Sequence, residues 1–223
     1  MMPVQPSSLL TLGFILLSLS IVFGVGYALK SWTVTLALIS WAALTAVLAV
    51  SGVLSDFSRL PPPSFILLAT SIILAVSLAF SRIGASLAAL PMSFLVGFLA
   101  FRIIVELLIH RAVVEGVAPP QMSWNGQNFD IFAGVSALLL APLADRLPRG
   151  VILGWNTLAM MLLLWTVSVA VRSLPTPLQQ FEPTGTWVTE FPFVWLPSIL
   201  VSIAFVGHMV IYRKLLRRSH RAA

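Results

Sequence analysis

The sequence predicts an all-α, polytopic transmembrane helix bundle: one domain over residues 1–223, seven helices, N-terminus out and C-terminus in. Three observations carry this. The chain is 59% hydrophobic and only 9% charged, with mean hydropathy +1.01, whereas soluble domains carry roughly 25% charged residues. Several apolar runs approach the ~20 residues an α-helix needs to cross a ~30 Å hydrocarbon core. Those runs lack the period-2 alternation and turn spacing of an outer-membrane barrel.

The first segment covers approximately residues 8–29. Met1 to Ser8 holds no Lys or Arg, so the positive region of a secretory signal is missing and a retained helix is expected. The second segment, 32–54, follows Lys30, and the third, 64–83, follows the run Pro61-Pro62-Pro63. The fourth, 91–114, is set off by a weak break at Ser81-Arg82-Ile83-Gly84, with Pro91 placed for a first helical turn. Reading 64–114 as one long tilted helix would lower the count by one. The fifth, 130–146, runs from Asp130 to Arg146. The sixth is 150–171 and the seventh 192–214, followed by a basic cytoplasmic tail over 215–223.

Charge orients the bundle. With the tail inside, Lys30, Arg82, Arg146, Arg149, Arg213, Lys214, Arg217, Arg218 and Arg221 share the inner side. Arg59, Arg111 and Arg172 lie outside with Asp56, Glu115, Glu182 and Glu190. That asymmetry fits the positive-inside rule. It also accounts for the net charge of +6 as a topology and lipid-headgroup signal, so no nucleic-acid partner is expected. The absence of cysteine excludes disulfides, thiolate metal sites and thiol nucleophiles.

The chemistry-bearing residues concentrate in the second half. Arg102, Glu106 and His110 are each four apart, within about an 80° arc of one helix face. A lipid-facing placement of such a stripe costs several kcal/mol, so it faces the bundle interior. Two readings stay open: Arg102 and Glu106 neutralise one another and hold helices together, or they line a substrate or proton path with Glu106 as a proton-exchanging carboxylate. Glu106 and His110 have a spacing that can place two ligands on one ion; no third ligand stands near in sequence, Asp130 being the one that could join them in space, and no metal or cofactor is expected. Asp130 suits a helix N-terminus, with Asn128 available to cap it. On the sixth and seventh helices, Asn156 and His208 form a deeper polar layer suited to a helix-to-helix hydrogen bond.

Two outer connections exceed a turn. The first, Glu115 to Asn128, holds Pro119-Pro120 and the polar cluster Ser123-Trp124-Asn125-Gly126-Gln127-Asn128; the second, Pro175 to Glu190, carries Trp187. Loops of this length commonly form lids or rims. The run Phe191-Pro192-Phe193-Val194-Trp195-Leu196-Pro197 opens the seventh helix with interfacial aromatics, and its two prolines leave carbonyls free to line a cavity.

Taken together, several motifs resemble a family of uncharacterised bacterial multi-pass integral membrane proteins. They are Phe101-Arg102 with Glu106-Leu107, Glu115-Gly116 with Met122, Gly126 and Asn128-Phe129-Asp130-Ile131, Trp155-Asn156, Pro175-Thr176-Pro177, and Phe191 to Pro197 with His208. The resemblance covers roughly residues 95–216 and implies a small protein of the bacterial inner (plasma) membrane, with no reaction assigned to the family. The family's recurrent polar positions correspond to Arg102, Glu106, Asn128, Asp130, Asn156 and His208. Where relatives have Thr-Phe this chain has Ser123-Trp124, and His110 is not a family position.

The expected function is to bind or move a small solute or proton through a polar cavity built by the fourth to seventh helices. Arg102, Glu106 and His110 would line it, Asn128 and Asp130 would form its outer mouth, and Asn156 and His208 its inner layer. The alternative is a non-transporting membrane subunit or assembly factor that docks a membrane-protein partner. No Ser-His-Asp, HExxH or phosphate-binding glycine loop is present to mark an enzyme.

Overall fold

A computed structural model describes the backbone of residues 5–219 and the side chains of 5–216. The described chain is helical, with no strand. Its helices are α1 (Ser8–Ala28), α2 (Trp32–Val50), α3 (Pro63–Phe80), α4 (Arg82–Ala89), α5 (Met92–Phe98), α6 (Arg102–Val114), α7 (Asp130–Leu140), α8 (Arg149–Arg172) and α9 (Ser202–Ser219). A 3-10 turn, Leu99–Phe101, joins α5 to α6, another extends α7 over Ala141–Leu143, and a π-helical turn, Leu196–Val201, leads into α9.

Six segments are long and apolar enough to cross a membrane: α1, α2, α3, Met92–Val114, α8 and Leu196–Leu216. This is the make-up of a multi-pass membrane protein. The expected fifth helix, 130–146, is the exception: its apolar helix spans only Asp130–Leu143, about 21 Å at 1.5 Å per residue. At its end Pro142 lacks the N–H that would continue the α ladder, and the last turn tightens to 3-10. Six helices long enough to cross therefore stand where seven were expected, with α7 and the eight-residue α4 too short to do so.

Serine hydroxyls set several boundaries. Ser7 Oγ accepts from the Leu10 N–H and Ser31 Oγ from the Val34 N–H, capping α1 and α2. Ser81 does two jobs: its hydroxyl donates to the Leu78 carbonyl at the end of α3 and accepts from the Ile83 N–H at the start of α4. The weak break at 81–84 is thus a true one, and no single helix spans 64–114. Pro91 caps α5 from outside and does not occupy its first turn. The seventh helix begins later and ends later than 192–214: residues 191–194 form a turn, and α9 continues through Ser219 where a tail was expected. His220 and Arg221 of that tail lie outside the described residues.

Hydrogen bonds sort the connections to two ends. At one end, the Ser7 N–H and hydroxyl donate to the Glu115 carboxylate at 2.8 and 2.6 Å, Gln121 Nε2 donates to Ser173 Oγ and the Pro183 carbonyl, and the Ser55 and Thr189 hydroxyls meet at 2.7 Å. At the other, Arg213 donates to the carbonyls of Ala79 and Ser81, Lys214 to those of Ala88 and Leu90, and Asp145 accepts the Met92 N–H. The first and last described residues therefore sit at opposite ends. Between them α9 is central, packed by α3, α4, α5 and α8. Two tryptophans tie α2 to the π-helical turn reciprocally: Trp41 Nε1 donates to the Ser198 carbonyl and Trp195 Nε1 to the Ala42 carbonyl. One carbonyl loosened by the π turn is satisfied in this way.

Candidate functional site

Six of the seven expected site residues are buried in one network. Arg102, Glu106, Asn128, Asp130, Asn156 and His208 are each no more than 4% exposed. Glu106 lies eight residues before Val114, the end of α6, hence about 12 Å below that helix end, and Arg102 about 18 Å below it. Asn128 and Asp130 reach these side chains only because the connection after α6 dips into the bundle. Its irregular backbone stays satisfied: Gln127 N–H donates to the Gln121 carbonyl, Asn128 N–H to the Ser123 carbonyl, and Trp165 Nε1 to the Gln127 carbonyl at 2.8 Å. Backbone outside regular structure is tolerated at such depth where protein groups pair it. The dip takes up the length that α7 lacks.

Arg102 is the hub. Its Nε donates to Asp130 Oδ2 at 2.6 Å and its Nη2 to Asp130 Oδ1, a bidentate ion pair. Nη1 meets His208 Nε2 at 3.0 Å, and both terminal nitrogens reach the Ala159 carbonyl at 3.4 and 3.3 Å. A guanidinium only donates, so Nε2 must accept and the His208 proton sits on Nδ1. That proton points to Asn156 Oδ1 at 2.9 Å, and Asn156 Nδ2 in turn donates to the His208 carbonyl at 3.2 Å. Each assignment forces the next. Gly134 makes the approach of α7 to α6 possible, because a Cβ there would lie 2.9 Å from the Ile103 nitrogen.

Asn128 uses all of its amide. Oδ1 accepts from the Asp130 N–H at 3.0 Å and the Thr166 hydroxyl at 2.7 Å, while Nδ2 donates to the Met122 carbonyl at 3.0 Å and Glu106 Oε2 at 2.7 Å. Asn128 thus serves the start of α7, as its position suggested. Asp130 does not cap: its carboxylate is turned to Arg102.

The ion pair corrects one expectation. Arg102 and Glu106 do not form the pair; Asp130 takes the guanidinium. Side chains four apart on one helix lie side by side, whereas Asp130 arrives from the facing helix and offers both oxygens to the Nε–Nη2 edge of the guanidinium. Glu106 is left with one hydrogen bond, to Oε2, and Oε1 accepts none from the described residues.

Glu106 lines a cavity of about 80 Å³ bounded by α3, α6, α8 and the π-helical turn. Arg102, Asp130 and Thr166 share its polar wall, and the rest is apolar except for Thr189, whose hydroxyl is paired with Ser55 and the Thr186 carbonyl, and Ser64, whose buried Oγ has no hydrogen-bond partner. His110 stands apart from this assembly. Its ring stacks on Trp124 with centroids 4.0 Å apart and 16° between planes, its Nδ1 is buried without a partner, and it does not line the cavity. Thr166, Ser64 and the Ala159 carbonyl carried no signal in the sequence, because isolated small polar residues and backbone carbonyls are ordinary features of apolar helices.

Among the described residues no three His, Asp or Glu side chains stand close enough to hold a metal ion. Outside the helical spans, Glu115 is held below the usual carboxylate range, first by the Ser7 hydroxyl and further by the Ser7 N–H and Arg111. No family model, curated protein or solved structure matches the chain.

Proposed function

We propose that this is a multi-pass protein of the bacterial inner membrane that binds a small solute in the cavity between α3, α8 and the π-helical turn, with Glu106 exchanging a proton as the solute binds or moves. The observation that carries the reading is the division of labour within the buried charges. Arg102, Asp130, His208 and Asn156 satisfy one another and act as a rigid strut. Among these charged groups only Glu106 keeps an unused oxygen in a wall of the cavity. Intramembrane ionisable groups placed on a cavity are functional candidates by default. The charged groups that share the cavity lining with Glu106 are Arg102 on its own helix and Asp130 at the start of α7; His208 on α9 lies behind Arg102 and His110 one turn along α6, and the α3 and α8 residues lining the cavity contribute none.

The concentration of basic residues at the end holding Arg213 and Lys214 supports a C-in, N-out orientation. Infrared difference spectra of the protein in liposomes, recorded across a pH titration, test the proton role. A protonated-carboxyl band that appears with acidification in wild type and is missing in Glu106→Gln is expected. A Glu106 band that stays constant across the titration would remove proton exchange from the reading.

A second reading draws on the outer end, where the 115–129 and 173–190 connections are pinned together by Gln121 and form one composite surface. There the protein would dock a membrane partner without transporting anything. Stoichiometric recovery of a partner that is lost when Asn125 to Asn128 are changed supports that reading; consistent recovery of a lone chain opposes it.

A further inference from the structure

We propose that the solute is a lipophilic amine, taken sideways from the bilayer between α3 and α8, with its ammonium head on Glu106 and its chain left among the lipid tails. This rests on the intramembrane binding role of the cavity and names the ligand's chemical class.

Charge selects the head. The buried cluster holds one guanidinium and two carboxylates. The guanidinium is spent on Asp130, which it grips through both oxygens, and His208 accepts from Arg102 and so adds no positive charge. Glu106 makes no ion pair or hydrogen bond with a cation among the described residues, and Arg102 acts on it only at longer range. An unpaired charge in a low-dielectric interior is strongly unfavourable, and a bound cation removes that penalty. Of the two polar atoms left over in the cavity, Glu106 Oε1 accepts and the Ser64 hydroxyl can accept or donate. An ammonium is all donor, with three N–H groups and no acceptor. A carboxylate or phosphate head would instead place like charge beside Glu106.

Shape selects the rest. A volume of about 80 Å³, several times the ~10–15 Å³ a cavity needs to hold one water, admits a head and its first carbons. Toward the outer end the cavity is roofed by Met122, Leu174 and Thr189, and Leu163, Leu200 and Ala204 close other sides, all buried. Phe65 and Leu68 on α3 and Val167 and Val171 on α8 also line it, yet they are partly exposed. α3 and α8 each pack on α9 and not substantially on one another. The way in is therefore between two apolar helix faces that contact lipid.

The test uses the full chain in phosphatidylcholine nanodiscs, with empty nanodiscs as the partition control. A dodecylamine bearing a diazirine on its chain is photolysed, and the labelled residues are mapped by mass spectrometry in the presence of unlabelled dodecylamine, dodecanol or dodecanoate as competitor. Labelling is expected at Phe65, Leu68, Val167 and Val171. Dodecylamine should compete on the order of tenfold better than dodecanol, the margin of a charge-assisted over a neutral hydrogen bond, and Glu106→Gln should abolish that margin. Should Glu106→Gln not fold, Ala170→Phe, which fills the cavity from α8, must reduce labelling instead. Equal competition by amine and alcohol, or labelling spread evenly over the lipid-facing helices, overturns the proposal. If the Glu106 infrared band still responds to pH in that case, only the amine is lost and the proton role stands; if it does not respond, both fail.

Discussion

Removing the carboxylate of Asp130 discriminates most sharply between the observed ion pair and the one expected from helix spacing. Asp130→Asn keeps the size of the side chain but leaves the Arg102 guanidinium, 2% exposed, with neutral acceptors only. Breaking a buried pair by neutralising one partner costs about 3–5 kcal/mol, because the remaining charge keeps its desolvation penalty and loses its compensation. Glu106→Gln removes one acceptor bond and no ion pair, so it should fall within about 1 kcal/mol of wild type or stabilise slightly. SDS-induced unfolding in mixed micelles, followed by circular dichroism, measures both. A double-mutant cycle then assigns the partner. Arg102→Met with Asp130→Leu, which replaces both charges by apolar groups, should be less destabilised than the sum of the single changes by about 3 kcal/mol or more, whereas the cycle of Arg102 with Glu106 should show coupling of about 1 kcal/mol or less. An Asp130→Asn protein as stable as wild type, or coupling concentrated on Glu106, would refute the pairing and the strut built on it.

Other outcomes follow from single contacts. Gly134→Leu forces a Cβ against the Ile103 nitrogen, 2.9 Å away, and should cost about 1–3 kcal/mol by overpacking, read in the same unfolding assay. Asn156→Leu leaves the His208 Nδ1 proton without its acceptor, for a loss of about 1–3 kcal/mol; nitrogen-15 NMR of labelled His208 in wild type should show a neutral ring protonated at Nδ1. Asn128→Ala removes four hydrogen bonds holding the inserted loop, and amide exchange should accelerate over residues 121–130 while α1 and α2 are unchanged. Glu115 is held below its ordinary value in the folded protein, so its contact with Ser7 stabilises the attachment of α1 above the unfolded carboxylate value and is lost as pH falls through the lower folded one. Amide exchange at Leu10 and Thr11 should rise on acidification in wild type and show no such pH step in Glu115→Gln.

The residues that mattered were visible in the chain; their partners were not. Arg102, Glu106, Asn128, Asp130, Asn156 and His208 stand out because charge and amide groups are rare among apolar residues. Three of their links were open to reasoning from one or two helices: Asn128 serving the start of α7, Asn156 meeting His208, and the polar stripe turning inward. The exchange of Glu106 for Asp130 as the counter-charge was not legible, since it depends on how far a connecting loop descends. His110 looked equivalent to Glu106 on a helical wheel, yet one turn nearer the end of α6 it meets Trp124 of that same loop and leaves the network.

Composition and hydropathy by themselves determined that the chain is an α-helical multi-pass protein, where most of its helices lie, and that charged and amide groups such as Arg102, Glu106 and Asn156 turn inward. These are properties of single segments against lipid, governed by transfer energies that depend on residue type. Tertiary structure decided that α7 is short, that Arg102 pairs with Asp130, and that Glu106 keeps a free oxygen on a cavity between α3 and α8. Those depend on directions and depths between segments far apart in the chain, where a difference of one helical turn decides which of two carboxylates meets the only buried guanidinium among the described residues.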